Sequence, residues 1–288
     1  MKSQEPFTKT FSFELFPPKT EAGMEKLQHN VRGLARLDPL YFSVTFGAGG
    51  STRERTFDSV QWLASEGLDT APHLSCIGST RSEIVEILDQ YRAQGVRRVV
   101  ALRGDLPSGA GLGGLGELNY ANELVGLIRE EFADHFHIEV AAYPEFHPQA
   151  ANANADLKNF MRKVEAGADG AITQYFYNPD AYYRFIDSCE DMGLAIPVVP
   201  GIMPITNYSS LMRFSDACGA EIPRWIRKRL EAYGDDDIES IRAFGIEVVS
   251  GMCEQLLAQG APGLHFYTMN QSVPTLRICA NLGLSPAR

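Results

Sequence analysis

The sequence has no pair of cysteines at the spacing of a metal or dithiol motif. Its five thiols, Cys76, Cys189, Cys218, Cys253 and Cys279, are scattered and odd in number. That excludes a CxxC zinc or redox site and argues for reduced thiols rather than a disulfide framework. No apolar run approaches the roughly 20 residues that span a bilayer. The first ten residues, Met1–Thr10, carry no apolar stretch of the signal-peptide kind, so a cytoplasmic protein without membrane contact is expected. Basic charge is also short. Lys and Arg number 26 against 36 Asp and Glu, a formal net charge of -10, which argues against a nucleic-acid or anionic-membrane surface. Local cations are left free to hold a small anionic ligand. Linkers, low-complexity tracts and breaks in composition are missing as well.

What is present is a regular beat. The chain of 288 residues is 44% hydrophobic and 22% charged, ordinary for a folded globular protein. Short apolar runs alternate with segments of 3.6-residue periodicity. The runs are Phe11–Phe16, Tyr41–Phe46, Thr70–Cys76, Val96–Arg103, Ile138–Tyr143, Gly170–Phe176, Ile196–Met203 and Gly263–Met269. The first helix, over Thr20–Leu37, places Met24, Leu27, Val31 and Leu34 on one face. Ser51 or Thr52 can cap the second, which reaches Ala64. Further helices are predicted over Ser82–Ala93, Tyr120–Phe132, Ala155–Ala166, Asp180–Met192, Tyr208–Ala217 and Val273–Leu282. An insertion at Pro223–Leu230 and a long helix at Asp237–Ala258 separate the last two strands. Eight strand–helix units predict an α/β fold, a single (β/α)8 TIM barrel over residues 1–288. A doubly wound open sheet is the rival, disfavoured by the count of eight and by the lack of a hinge.

A barrel locates chemistry at the C-terminal ends of its strands. Polar residues are dense there: Glu14, Ser43, Thr45, His73, Ser75, Arg103, Asp105, Tyr143, His147, Gln174, His265, Tyr267 and Asn270. Glu14 sits among aromatic residues in Phe11–Phe16 and is followed by Pro17 and Pro18, which cannot continue a ladder. Desolvation there is expected to raise its pKa, as suits a general acid. The plainer reading is an edge-strand carboxylate in water. Gly111–Gly116 matches G-x-G-x-x-G, but the preceding strand ends near Arg103 and no strand-terminal acid follows, so a loop over the mouth is the better reading. His135 and His137 precede the fifth strand and read as surface residues at the opposite end. His73 and His265 read equally as ligands or as satisfied core histidines. Asp235–Asp237 reads as a solvated helix start, and no metal site is expected.

Several runs together resemble a known family: Phe13–Lys19, Ser43–Ala48, Pro72–Cys76, Ala101–Pro107, Ala142–Pro148, Ala171–Phe176, Pro200–Pro204 and His265–Asn270. Over almost the whole chain these are similar to bacterial-type 5,10-methylenetetrahydrofolate reductases. The resemblance implies an enzyme in which NADH or NADPH reduces bound FAD. The flavin in turn reduces methylenetetrahydrofolate to 5-methyltetrahydrofolate, a methyl source for methionine synthesis. It implies catalytic roles for Glu14, as the acid that opens the folate ring, and for Asp105, beside flavin and pterin. FAD contacts are implied for Thr45, Phe46, Ala48, His73, Arg103, Gly104, Asp105, Ala121, Tyr143, His147, Ala150, Asp156, Asn159 and Lys163. Substrate contacts are implied for Asp105, Gln174 and Phe214, with Thr45 facing the same space. Gln271 stands where the family carries a basic residue, and Ser210 where it carries glutamine. Association of copies through the outer helices is expected. Another FAD-dependent barrel, of proline-dehydrogenase type, and a non-catalytic folate or flavin carrier are the alternatives.

Overall fold

The computed structural model describes residues 1–46, 53–104 and 116–284. Strands and helices alternate from the start. β1 (Thr10–Leu15) leads to α1 (Glu21–Ala35), β2 (Tyr41–Val44) to α2 (Arg53–Ser65), and β3 (Thr70–Ser75) to α3 (Arg81–Ala93). Then come β4 (Arg98–Leu102), α4 (Ala121–Phe132), β5 (His137–Ala142), α5 (Ala153–Glu165), β6 (Gly170–Thr173) and α6 (Pro179–Glu190). Capping chemistry sets the helix starts. Thr20, Asn152 and Asn207 each accept a backbone N–H of the first turn, and Thr80 with Glu83 forms a reciprocal capping box. Leu27, Val31 and Leu34 of α1 are buried as their spacing predicts. Each contributes roughly 2 kcal/mol of apolar burial. The expected caps of α2, Ser51 and Thr52, lie outside the described residues.

The seventh strand departs from the single run Ile196–Met203. Pro200 has no N–H for a ladder, so the strand divides into β7 (Val198–Val199) and β8 (Gly201–Ile202). β7 pairs with β6 and β8 with β9 (Gly263–Tyr267), while Pro200 accepts a 2.9 Å hydrogen bond from His265 N. All pairings are parallel and the order is β7-β6-β5-β4-β3-β2-β1-β9-β8. Because β7 and β8 are successive pieces of one strand, the sheet closes on itself. Two bonds stitch the split. Gly201 N donates to Thr173 Oγ1 at 2.9 Å, and Tyr267 Oη donates to Thr173 O at 2.7 Å. The fold is the (β/α)8 barrel, and the open-sheet alternative falls.

After β8 come α7 (Tyr208–Cys218), α8 (Arg224–Tyr233), which is the predicted insertion, α9 (Ile238–Ala258) and, beyond β9, α10 (Ser272–Asn281). Asp237 caps α9 through a 3.1 Å bond from Ser240 N, as a helix-start acid should. Among the described residues no helix is long and apolar enough to cross a membrane.

Strand alternation sorts side chains into two layers. Phe13, Phe42 and Phe266 face the helices and pack on one another with centroids 5.7 and 5.8 Å apart. Tyr41, Ala71, Val100 and Ile172 form a separate apolar layer inside the barrel. Ser12 and Glu14, alternating with Phe13, point inward as well, and Glu14 lies opposite Ser43 on β2 and Tyr267 on β9.

Candidate active site

The C-terminal end of the barrel gathers a polar group around Glu14. This residue is only 6% exposed, which settles the choice between interior acid and edge carboxylate. Its Oε2 lies 3.4 Å from His73 Nε2 on β3 and 3.8 Å from His265 Nε2 on β9. His265 is fully buried. Its Nδ1 shares a 2.7 Å hydrogen bond with Ser12 Oγ, and its Nε2 stands 3.5 Å from Ser43 Oγ. Tyr41 stacks on the His265 ring at 6.0 Å and Tyr267 meets it edge-on at 5.4 Å. Among the described residues no Lys or Arg reaches Glu14 within ion-pair distance.

Burial pushes the His73 imidazole below its ordinary value of 6.5; Glu14 pulls the other way and His265 adds to the depression. His73 is thus neutral near pH 7 and meets Glu14 as a dipole. Its Nε2 is buried without a hydrogen-bond partner among the described residues. A buried polar atom without a partner is uncommon in a satisfied core and calls for an explanation.

A second group lines the rim over β4, β5 and α5. Arg103 follows β4, donates through Nε to Gly104 O at 3.3 Å, and its guanidinium binds Gln149. Gly104 has φ +87°, and a Cβ there would collide with Ser75 Oγ, so glycine is required. Tyr143 and His147 sit edge-to-face at 4.6 Å, Asp156 accepts His147 N at 2.9 Å, and Ala150 N donates to His147 O at 2.9 Å. The amine of Lys163 donates to Ala141 O, and its withdrawal from water lowers its pKa to about 8, with Asp156 opposing. Two cations, Arg103 and Lys163, on one rim suit an anionic, diphosphate-bearing group.

Other expected residues are placed as follows. Thr45 N donates to Leu15 O at 3.0 Å, and Phe46 follows it half-buried. Gln174 lies beside Tyr143 in a small cleft with Tyr175 and Cys218; its Oε1 accepts Tyr175 N at 3.0 Å, and among the described residues its –NH2 has no partner. Phe214 on α7 is 37% exposed rather than core, with Arg213 at 5.4 Å from its ring centre. Ala121 opens α4, and Asn159 is exposed on α5, bonded to Arg162. Ala48, Asp105 and most of Gly111–Gly116 lie outside the described residues. A cleft of about 270 Å³ lined by Arg32, Arg36 and Trp62 lies between α1 and α2 on the outer wall, away from this end.

Residue reading missed Ser12, Thr268, Asn30 and Ser272. Ser12 shares the inward face of β1 with Glu14, so period-two alternation alone could have found it. Asn30 interrupts the apolar stripe of α1 and is buried there, a polar residue out of place that asked for a partner. Among the described residues no group of His, Cys, Asp and Glu could hold a metal ion.

A closed barrel with a buried acid at its mouth that, among the described residues, has no cationic partner, flanked by imidazoles and a cationic rim, has the make-up of a TIM-barrel enzyme acting on a small molecule. The particular family follows from comparison. The family model of methylenetetrahydrofolate reductase matches residues 2–283. The chain is 41% identical over 276 residues to the 5,10-methylenetetrahydrofolate reductases of Escherichia coli and Salmonella typhimurium, covering 96% of this chain and 91% of each relative. It is 38% identical to methylenetetrahydrofolate reductase (NADH) 1 of Arabidopsis thaliana, spanning 48% of that longer protein. The chain belongs to the methylenetetrahydrofolate reductase family, and the activity of that family is its activity. In fold it is similar to an uncharacterized protein from Clostridium thermocellum described as binding two copies of 5-methyl-5,6,7,8-tetrahydrofolic acid. That likeness has a TM-score of 0.66 at 16% identity and covers 97% of this chain and 96% of that one. An oxaloacetate acetylhydrolase shares the fold at a TM-score of 0.54 and 9% identity, over 93% of this chain and 78% of the other.

Proposed function

We propose that the reduction uses FAD, which Arg103 and Lys163 would hold, with NADH or NADPH as the hydride source and methylenetetrahydrofolate as the acceptor, the two substrates reacting in turn. The observation that carries the folate step of this reading is Glu14: a buried carboxylate with two imidazoles and, among the described residues, no cation beside it. Bound FAD would supply the two-electron relay between nicotinamide and folate. Arg103 and Lys163 would hold its diphosphate. His73, Gly104, Tyr143, His147, Ala150 and Asp156 would fix the rest, with Thr45, Phe46, Ala121 and Asn159 at its margins and Ala48 and Asp105 completing the set.

Glu14 does the acid work. As the bond from the methylene carbon to its leaving nitrogen breaks, that nitrogen takes the Glu14 proton, and the carbon, left as an iminium, accepts hydride to become a methyl group. The neutral His73 lies beside the carboxyl without neutralising it. Gln174 donates its –NH2 toward the bound substrate, Phe214 offers a ring face to the pterin or nicotinamide, and Asp105 hydrogen-bonds the pterin. The folate ligand named for the Clostridium thermocellum fold relative supports a folate-sized mouth here. The methyl product is of the kind that methionine synthesis consumes. Copies associate through their outer helices, which sedimentation reads directly.

The test is purification and turnover. The protein is expected to be yellow, to release FAD on denaturation, and to form 5-methyltetrahydrofolate from NADH or NADPH and methylenetetrahydrofolate. Failure to take up FAD on reconstitution would sink the flavin reading.

A further inference from the structure

The end of β1 is held by side chains as well as by backbone. Pro17 and Pro18 have no N–H to give, so the ladder that carries Glu14 would stop at Leu15 with Phe16 unpaired. Asn270 takes over. Its Oδ1 accepts Phe16 N at 2.8 Å and its Nδ2 donates to Phe16 O at 2.8 Å, a two-point pairing that imitates one more strand residue. One step back, Thr268 Oγ1 donates to Glu14 O at 2.6 Å and accepts Asn270 N at 3.2 Å. Behind them Asn30 of α1, nearly buried, donates to Asn270 O at 2.8 Å, and Ser272 Oγ donates to Asn30 Oδ1 at 2.7 Å.

The backbone is bent to make this possible. Met269 and Asn270 lie in succession at φ +51° and +54°. Asparagine tolerates the left-handed region, methionine does not, and two such residues in a row persist only where their surroundings over-determine them. Every group in the chain Ser272–Asn30–Asn270–Phe16 has a partner, and Thr268 ties its end to the peptide of Glu14 itself. Core packing alone does not ask for this. Leu15 is already fully buried and hydrogen-bonded through Thr45 N.

We infer that Asn270 and Thr268 are positioning residues for the proton donor: they hold the Glu14 peptide so that its carboxyl reaches the leaving nitrogen of the folate. The inference rests on the reductase reading above. It makes the post-β9 turn part of the folate half-reaction and leaves the nicotinamide half-reaction independent of it.

The decisive variant is Asn270→Gly, because glycine keeps the positive φ at no cost and removes only the amide. Anaerobic stopped-flow on the holoenzyme is expected to show flavin reduction by NADH at the unmodified rate. Reoxidation by methylenetetrahydrofolate is expected to slow about tenfold to a hundredfold, the scale of a misplacement near 1 Å. Affinity for 5-methyltetrahydrofolate, read by calorimetry, should be unchanged. Thr268→Val should act in the same direction, and Thr268→Ser, which keeps the hydroxyl, should restore the rate. Equal slowing of both half-reactions, or loss of product affinity with an unchanged reoxidation rate, would make the turn merely structural and overturn the inference. So would full reoxidation in Asn270→Gly and Thr268→Val alike. Unmodified protein that reduces its flavin but never passes hydride to folate would instead overturn the reductase reading, and this inference with it.

Discussion

Two buried glutamates sit in the same barrel and live in opposite surroundings. At the N-terminal end, Glu139 on β5 pairs with Arg98 on β4 at 2.5 Å and with His137 at 3.2 Å, while Tyr41 lies 4.7 Å over the Arg98 guanidinium. Burial alone would raise the Glu139 pKa; the His137 hydrogen bond and the Arg98 charge more than offset it, and the carboxyl stays below its ordinary range. At the C-terminal end, Glu14 is as deeply buried but faces two imidazoles and, among the described residues, no cation. The first arrangement is a plug: its charges answer one another and nothing is left to react. The second leaves a buried carboxyl without a charged partner among the described residues, as the proposed acid role requires. The contrast separates structure from chemistry within one fold, since a barrel that needed only stability could have paired both acids alike.

That contrast can be broken by substitution. The largest effect is expected from Glu14→Gln, which keeps the shape and removes the acid. Turnover with methylenetetrahydrofolate should fall on the order of 100-fold to 10,000-fold, while the denaturant midpoint stays within error. Arg98→Met should do the reverse. It leaves Glu139 buried with only the His137 imidazole beside it, costing about 3 kcal/mol of stability by urea titration, with the half-reactions of the surviving folded protein little changed. A stable Arg98→Met protein would mean the plug is not what holds the lower barrel. Lys163→Met, at the rim, removes one charge-assisted contact of about 1.5 to 3 kcal/mol, so FAD should bind roughly tenfold to a hundredfold more weakly in a fluorescence titration.

The smallest effects are on pH dependence. His73 has a folded-state pKa below its unfolded 6.5, so the unfolded chain binds more protons and stability falls as pH drops below about 6.5. Glu139, also depressed, contributes stability present above its unfolded 4.5 and lost as pH falls through its lower folded value. Thermal melts at stepped pH should therefore show a shallow loss beginning near 6.5 that His73→Gln flattens. A steeper loss below 4.5 should be flattened by Glu139→Gln. If both variants altered the same window, the two ends of the barrel would not be titrating independently.

The fold was legible because its two periodicities are local. Leu27, Val31 and Leu34 declare a helix within one turn or two, and Phe11, Phe13 and Leu15 alternate with Ser12 and Glu14 within a single strand. The split of the seventh strand was not legible, although Pro200 was in plain view, because the pairing that divides it is with β6 on one side and β9 on the other. Long-range polar pairings were hidden for the same reason. Arg98 and Glu139 are 41 positions apart, and Asn270 and Phe16 are 254 apart; neither residue of a pair advertises its partner. Glu14 could be singled out because a carboxylate between aromatic residues and two prolines is a local anomaly. What stands around it could be known only from three dimensions.

In the proposed function Glu14 serves the folate and not the nicotinamide. The measurement that addresses it most directly is anaerobic stopped-flow on FAD-loaded Glu14→Gln, following flavin absorbance through each half-reaction separately. Reduction by NADH at a rate within about twofold of the unmodified protein, with reoxidation by methylenetetrahydrofolate slowed at least on the order of 100-fold, is the predicted result. Slow reduction with normal reoxidation would contradict it and move the acid to the other substrate.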